Sequence, residues 1–286
     1  FNTFYNAESA YKKALQIIEE TPNSLDEKLP SQADKLLVDA IQNSKLVISD
    51  FPSSKFIDDA IFIIAKASFL KGEITVAEKH FNMILEIYPE SKYYNDSEIW
   101  LAYTHLRMGM IDSCINQINK IQSQNPTKNE HLYIIHNVLA EVAIERDSLE
   151  QIYYHYEVAA EYAMTNSKKT LIYGKLTELA ENENDKFRAS IYLEELGKVA
   201  PDKIRLDSKL EWITYQRELG EYDNIIDQIN SLLSQSEFQN VYIQLELELA
   251  KVYLDINDFS TSKEIFLQMV ETYSKKNETA EAYYHL

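Results

Sequence analysis

Six histidines, one cysteine and several acidic runs are the residues of this 286-residue chain whose types could carry chemistry. His80, His105, His131, His136, His155 and His285 are the candidates for metal ligation or acid–base work. His131 and His136 lie five apart, whereas two ligands share a helix face at a spacing of three or four, and no cysteine is near them. The histidines therefore do not group, and read as surface or partly packed side chains. Cys114 invites a nucleophile reading, but it occupies the small-residue slot filled by Ala77 and Ala189 elsewhere in the chain, which predicts a buried, inert thiol. The acidic run Glu181, Glu183, Asp185 (ENEND) lacks the D-x-D-x-D-G ladder and distal glutamate of a calcium loop, and reads as a solvated turn that caps the next helix. Glu194 with Glu195, and Glu246 with Glu248, cannot face each other from such close positions on a helix and read as outer-surface charges. Five isolated glycines leave no phosphate-binding loop. No catalytic residue, cofactor site or metal site is expected.

The charge balance narrows the partners. A formal net charge of −18 opposes a nucleic-acid backbone or an anionic membrane surface, both of which need clustered Lys and Arg; basic or neutral partners stay open. The longest purely apolar stretch, Ala60 to Ala65, is far shorter than the roughly 20 residues of a membrane span. A single cysteine excludes an internal disulfide and fits a cytoplasmic or a periplasmic protein.

The positioning elements follow from the breakers. Pro52, Pro89 and Pro126 fall 37 residues apart, and Gly72, Gly109 and Gly220 lie on the same ladder. A breaker inside each unit and another at its end describe a helical hairpin stacked on copies of itself. With only 5 Gly and 6 Pro in a chain that is 45% apolar, the class is all-α. In the best-formed unit, Ile57, Ala60, Ile61, Ile64, Ala65 and Ser68 form one stripe of a first helix that Gly72 ends. Thr75 and Glu78 are spaced as a capping box, and Ala77, Phe81 and Ile84 face inward from a second helix that Pro89 stops. The same trio recurs as Cys114, Ile118, Ile121; Ile152, Tyr156, Ala159; Ala189, Leu193, Leu196; Ile225, Ile229, Leu232; and Ser262, Phe266, Met269. Asp147 takes the turn position in the unit that lacks a terminal proline. At the front, Ala7, Tyr11 and Ala14 share a face of a helix ending near Thr21, and Leu36, Leu37, Ala40, Val47 and Ile48 belong to a second helix. The Pro22–Ser31 segment between them reads as an extended loop.

Hairpins with Ala65 or Ala102 in the first helix, and Ala77, Phe81, Ile84, Pro89 or Ser262, Phe266, Met269 in the second, resemble the tetratricopeptide repeat over essentially the whole chain. The usual tryptophan and central glycine are missing, and the period is 36 to 38 instead of about 34 residues. The resemblance implies a right-handed α-solenoid of about seven hairpins, near 1–52, 54–89, 92–126, 129–166, 169–201, 206–237 and 240–274, with 279–286 opening another, all in a single stack. The joints FPSSKF (Phe51 to Phe56) and YPESKY (Tyr88 to Tyr93) resemble those of bacterial tetratricopeptide lipoproteins of the BamD and CpoB kind. The start FNTFYNA (Phe1 to Ala7) resembles mature lipoproteins that follow a lipidated cysteine, or marks an arbitrary boundary.

That resemblance implies a non-enzymatic scaffold that binds other proteins at the periplasmic face of an outer membrane, touching the membrane only through a lipid anchor. A cytoplasmic scaffold and, further off, an α-solenoid enzyme are the alternatives. In tetratricopeptide stacks the first helices line the concave surface, so an exposed partner strip is expected at Phe62, Lys66, Phe69, Tyr103, Leu106 and Arg107, unless these pack between first helices. The Lys and Asn constellation of chaperone-tail clamps is not reproduced.

Overall fold

A computed structural model describes residues 2–21, 29–124, 128–273 and 277–286. Most of the expected Pro22–Ser31 loop, together with Pro126, lies outside the described residues. The described residues form helices only, with no strand. The chain divides into two compact units, Phe1–Ile172 and Tyr173–Leu286.

The first unit contains α1 (Asn2–Glu20), α2 (Ser31–Asp50), α3 (Ile57–Leu70), α4 (Ile74–Ile87), α5 (Tyr94–Arg107), α6 (Ile111–Ser123), α7 (Asn129–Glu145) and α8 (Leu149–Tyr162), and α9 (Asn166–Asn182) begins in it. From α1 to α8 each helix packs on the next in sequence, and α1, α3, α5 and α7 also touch one another in turn. The odd-numbered helices thus form one layer of the stack. The second unit holds the rest of α9, then α10 (Lys186–Val199), α11 (Asp202–Leu219), α12 (Tyr222–Leu233), a 3-10 turn at Ser236–Val241, α13 (Tyr242–Asp255), α14 (Phe259–Thr272) and α15 (Asn277–His285). There α11, α13 and α15 make the corresponding layer.

The first helices α3, α5, α7, α9, α11 and α13 all end in the same backbone event. Gly72, Gly109, Asp147, Asn184, Gly220 and Asn257 all have positive φ, between 52° and 82°. At every one, the amide of the following residue donates to the carbonyl five residues back: Glu73 to Ser68, Met110 to His105, Ser148 to Ala143, Asp185 to Ala180, Glu221 to Gln216 and Asp258 to Tyr253, at 2.8–3.0 Å. This is a Schellman stop. It satisfies carbonyls that the helix end would orphan and reverses the chain within about three residues. Glycine reaches the left-handed region without a Cβ penalty, and Asn or Asp reach it at modest cost.

The tight reversal also decides where the second helix begins. In α4 the N-cap is Glu73, with Thr75 already inside the first turn, so the expected Thr75–Glu78 capping box does not form. The equivalent caps at Asp185 and Asp258 do work, accepting from the Arg188 and Thr261 amides at 3.0 and 3.1 Å. The ENEND run is therefore a turn and a cap, as its pattern suggested. The repeat joints are ordered too. Ser54 and Ser91 each accept a hydrogen bond from the amide two residues on, and Ser91 donates to Asp58 at 2.7 Å.

Residues at i, i+4 and i+7 of the second helices from α4 onward, the first of them small in four of the six, form the trios named from the sequence, and all are buried, from Ala77, Phe81 and Ile84 to Ser262, Phe266 and Met269. The Ile57–Ser68 stripe of α3 is buried as well. Phe81 is fully enclosed among Phe62, Ala65 and Ile84, so Phe81→Ala leaves a cavity and is expected to cost about 3–5 kcal/mol in a denaturant melt, where a surface site costs under about 0.5. A Cβ added at Gly72 meets nothing within 4 Å, so substitution there tests the backbone alone. Gly72→Ala is expected to cost about 1–2 kcal/mol and Gly72→Asn clearly less. Equal losses would show that the left-handed turn is not what limits the site.

Candidate functional site in the first-helix layer

The first-helix layer of the first unit gathers the aromatic side chains. Phe62 of α3 stacks on Tyr93 at 4.2 Å between centroids, with the planes 9° apart. Two turns along, Phe69 meets Trp100 at 5.1 Å and Tyr103 at 4.9 Å, both on α5, and Trp100 stacks on Tyr103 at 5.7 Å. A period of about 37 residues is what places them together, because residue i of one first helix meets residues some 31–38 further on in the next.

Polar pairs bridge the layer at the same interval. Lys92 pairs with Asp59 at 2.7 Å and the Tyr93 hydroxyl donates to Asp59 at 3.0 Å, while Lys71, at the end of α3, reaches back to Asp34 on the second helix α2 at 2.6 Å. His131 meets Asp96, the Tyr103 hydroxyl donates to Glu141, and Lys168 pairs with Glu130 while lying over the Tyr133 ring. In the second unit Tyr215 donates to Glu181, and Arg217 and Lys251 flank Glu248 at 3.1 and 3.0 Å. Glu248 is accordingly a half-buried interhelical carboxylate, not the outer-surface charge expected from the sequence; Glu246 is half-buried too, and burial raises its carboxyl above the usual range. Glu194 and Glu195 are half-buried or exposed, and both reach Lys198.

Within this layer Lys66 stands apart. Its side chain is 7% exposed, and its Nζ sits over the Trp100 ring, 2.7 Å from the centroid. No carboxylate pairs with it among the described residues. Burial pushes the ammonium well below the usual lysine range, opposed only by the fields of Glu130 and Asp96, while Lys168 pushes the same way as burial. A cation–π contact returns about 2 kcal/mol when desolvated, less than the several kcal/mol that burying an ion costs.

The expected partner strip is thus only partly open. Phe62, Lys66 and Leu106 are buried, Phe69 and Tyr103 are half-buried and committed to ring contacts, and Arg107 alone is exposed. Packing between first helices, the alternative weighed from the sequence, claims most of the strip. Lys66, Phe69 and Tyr103 do come together, around a residue the sequence reading left out, Trp100. Its offset of 34 from Lys66, about one period, was the available signal.

The other candidates fall as follows. Cys114 is fully buried and its thiol is pushed up to about 12, mainly by burial. His80 bonds the Val76 carbonyl, His105 lies 3.7 Å from Glu78, and His285 stacks on Phe266. His136 and His155 correct the expectation that the histidines do not group: they lie side by side on α7 and α8, Nδ1 to Nδ1 at 3.1 Å. Sequence spacing hides the pair because its members sit on opposite arms of one hairpin.

This geometry can be set beside known proteins. Residues 59–91 match the tetratricopeptide-repeat family. The matched tetratricopeptide-repeat segment begins in α3, which carries Lys66, takes in all of α4, and runs on into the YPESKY joint. The C-terminal part of a tetratricopeptide-repeat-containing protein from Cytophaga hutchinsonii is similar over 95% of this chain and 98% of its own, with a TM-score of 0.52 and 8% identity. A tetratricopeptide-repeat protein from Parabacteroides merdae aligns over 98% of both chains at 12% identity, with a TM-score of 0.41. The first likeness is one of fold. No curated protein matches the sequence.

The buried ammonium makes a stability prediction. Unfolded, Lys66 holds its proton up to about pH 10; folded, it releases the proton earlier, so the unfolded state binds more protons and stability rises with pH across that window. Lys66→Met removes the effect. The variant is expected to be the more stable protein at pH 7, with the gap closing toward pH 10 in parallel denaturant melts. Curves that stay parallel over that range would mean the ammonium is not strained by burial.

Proposed function

We propose that this chain is a non-enzymatic scaffold that binds other proteins through the first-helix layer of its hairpin stack, at the surface around Lys66, Trp100 and Tyr103. The observation that carries the reading is the buried, carboxylate-free ammonium in a wall of aromatic rings. Evolution retains a costly buried charge where something else compensates it, and a partner's acidic or carbonyl oxygen would do so in a water-poor setting. The rings supply large, rigid contact area, the kind of side chain that dominates binding energy at protein interfaces. Tetratricopeptide repeats generally serve protein or peptide binding and not catalysis, which supports the same class. Among the described residues no cluster of three or more His, Cys, Asp or Glu is arranged to hold a metal ion, and no helix is long and apolar enough to cross a membrane.

The finer placement belongs to the same proposal. The joints FPSSKF and YPESKY favour a bacterial envelope protein of the BamD and CpoB kind, held at the periplasmic face of the outer membrane by an N-terminal lipid and acting in envelope assembly. Fractionating cells that express the native gene separates this from a cytoplasmic scaffold: recovery in the outer-membrane fraction, released by detergent and not by salt, is expected, and recovery in the cytosol overturns the placement without touching the scaffold reading.

The scaffold itself is tested by affinity capture from the native organism with three baits. Wild type and Asp112→Lys, an exposed second-helix change, should retain the same partner set, whereas Lys66→Met combined with Tyr103→Ala should lose it with helical signal intact. Unchanged capture by the double variant moves the binding surface elsewhere.

A further inference from the structure

His136 on α7 and His155 on α8 form a pair that the scaffold reading does not use. Their Nδ1 atoms are 3.1 Å apart and their ring centroids 5.3 Å, with the planes tilted 45°. Tyr154 lies edge-on to both rings, at 6.4 Å from His136 and 5.0 Å from His155, and Tyr162 stacks on His136 at 6.3 Å. Both imidazoles are half-buried.

In the free protein a contact of this length between two nitrogens needs one donor and one acceptor: one ring carries its proton on Nδ1 and the other presents a lone pair. The arrangement has a second use. Metal–nitrogen bonds to imidazole are about 2.0–2.1 Å long, and two nitrogens 3.1 Å apart subtend an angle of about 97° at an atom so bonded, between the square-planar and tetrahedral values. The pair is spaced as two adjacent ligands of one metal ion. It is also presented by two helices of a single hairpin whose turn is set by Asp147, so both rings are held by packed backbone and not by loops.

We propose that His136 and His155 form a two-histidine site for a divalent transition-metal ion of the copper, nickel or zinc class, its remaining positions filled by water. Imidazole nitrogen suits these ions, and copper(II) heads the affinity order. On binding, the ring protonated at Nδ1 moves that proton to Nε2 by exchange with solvent, so both Nδ1 lone pairs face the metal and the pair releases no net proton. The low basicity of both rings keeps them in this neutral form at neutral pH: burial lowers each, and the neighbouring ring helps lower His155 to about 4. With two protein ligands the site is exchangeable, unlike the closed four-ligand centres that hold structural zinc.

The test uses the tag-free chain and the metal salts alone. Titration calorimetry with copper(II), nickel(II) and zinc(II) chlorides at pH 7.5 should show one saturable site per chain, tightest for copper(II). His136→Gln and His155→Gln should each weaken it by at least about tenfold, while His80→Gln and His105→Gln leave it unchanged. Electron paramagnetic resonance of the copper(II) form supplies a readout that does not depend on the variants: coupling to two imidazole nitrogens is expected. Absence of a saturable site, binding that survives both substitutions, or a copper spectrum with fewer than two imidazole nitrogens would overturn the proposal.

Discussion

The stack depends on a left-handed backbone residue at the end of the first helices from α3 to α13. That one conformation satisfies the carbonyls of the closing helix, aims the chain back along it, and leaves no room for a longer loop. Once the reversal is that short, the second helix must start at a fixed residue, and its buried stripe must meet the first helix in a fixed register. The buried trios, the interval near 37 and, within each unit, the contacts that run α1–α3–α5–α7 and α11–α13–α15 are consequences of repeating this event.

The same regularity decides what the first-helix layer can be. Side chains about one period apart are brought face to face, so aromatic rings stack across repeats and several charged groups find an opposite charge on a neighbouring first helix. A chain with 46 acidic and 28 basic residues has ample carboxylates to pair its cations. Lys66 is therefore notable for having a ring and not a carboxylate beneath it. The surrounding packing supports that cost, since Phe62, one turn before it on α3, buries apolar surface in the same layer.

Much of the fold was legible because its signals are local. The spacing of Ala77, Phe81 and Ile84 identifies a buried helix face without reference to any other segment, and Gly72, Gly109 and Gly220 announce positive φ by composition. Asn184 and Asn257 make the same turn but resemble any polar loop residue, so the ladder looked more broken than it is. The site was harder to read, because its features depend on which residues of different helices meet. Whether Lys66 is open or enclosed depends on Trp100, whether Glu248 faces water depends on Arg217 and Lys251, and the histidine pair exists only after α8 folds back on α7. The capping box failed for a related reason: Thr75 and Glu78 have the right spacing, but the turn before them had already assigned the cap to Glu73.

The recurrence of one turn geometry at Gly72, Gly109, Asp147, Asn184, Gly220 and Asn257 also bears on how such a gene can change length. Recombination between two equivalent turns removes or duplicates one whole hairpin and rejoins backbone of identical shape, so the crossover leaves no distorted loop to repair. Growth by whole modules is then conformationally cheap, while an insertion of any other size falls inside a helix and shifts its buried stripe out of register. Lineages carrying this architecture should accordingly differ in hairpin number in integral steps, with the joints between hairpins free to drift by a residue or two, as the 36-to-38 intervals in this chain already do.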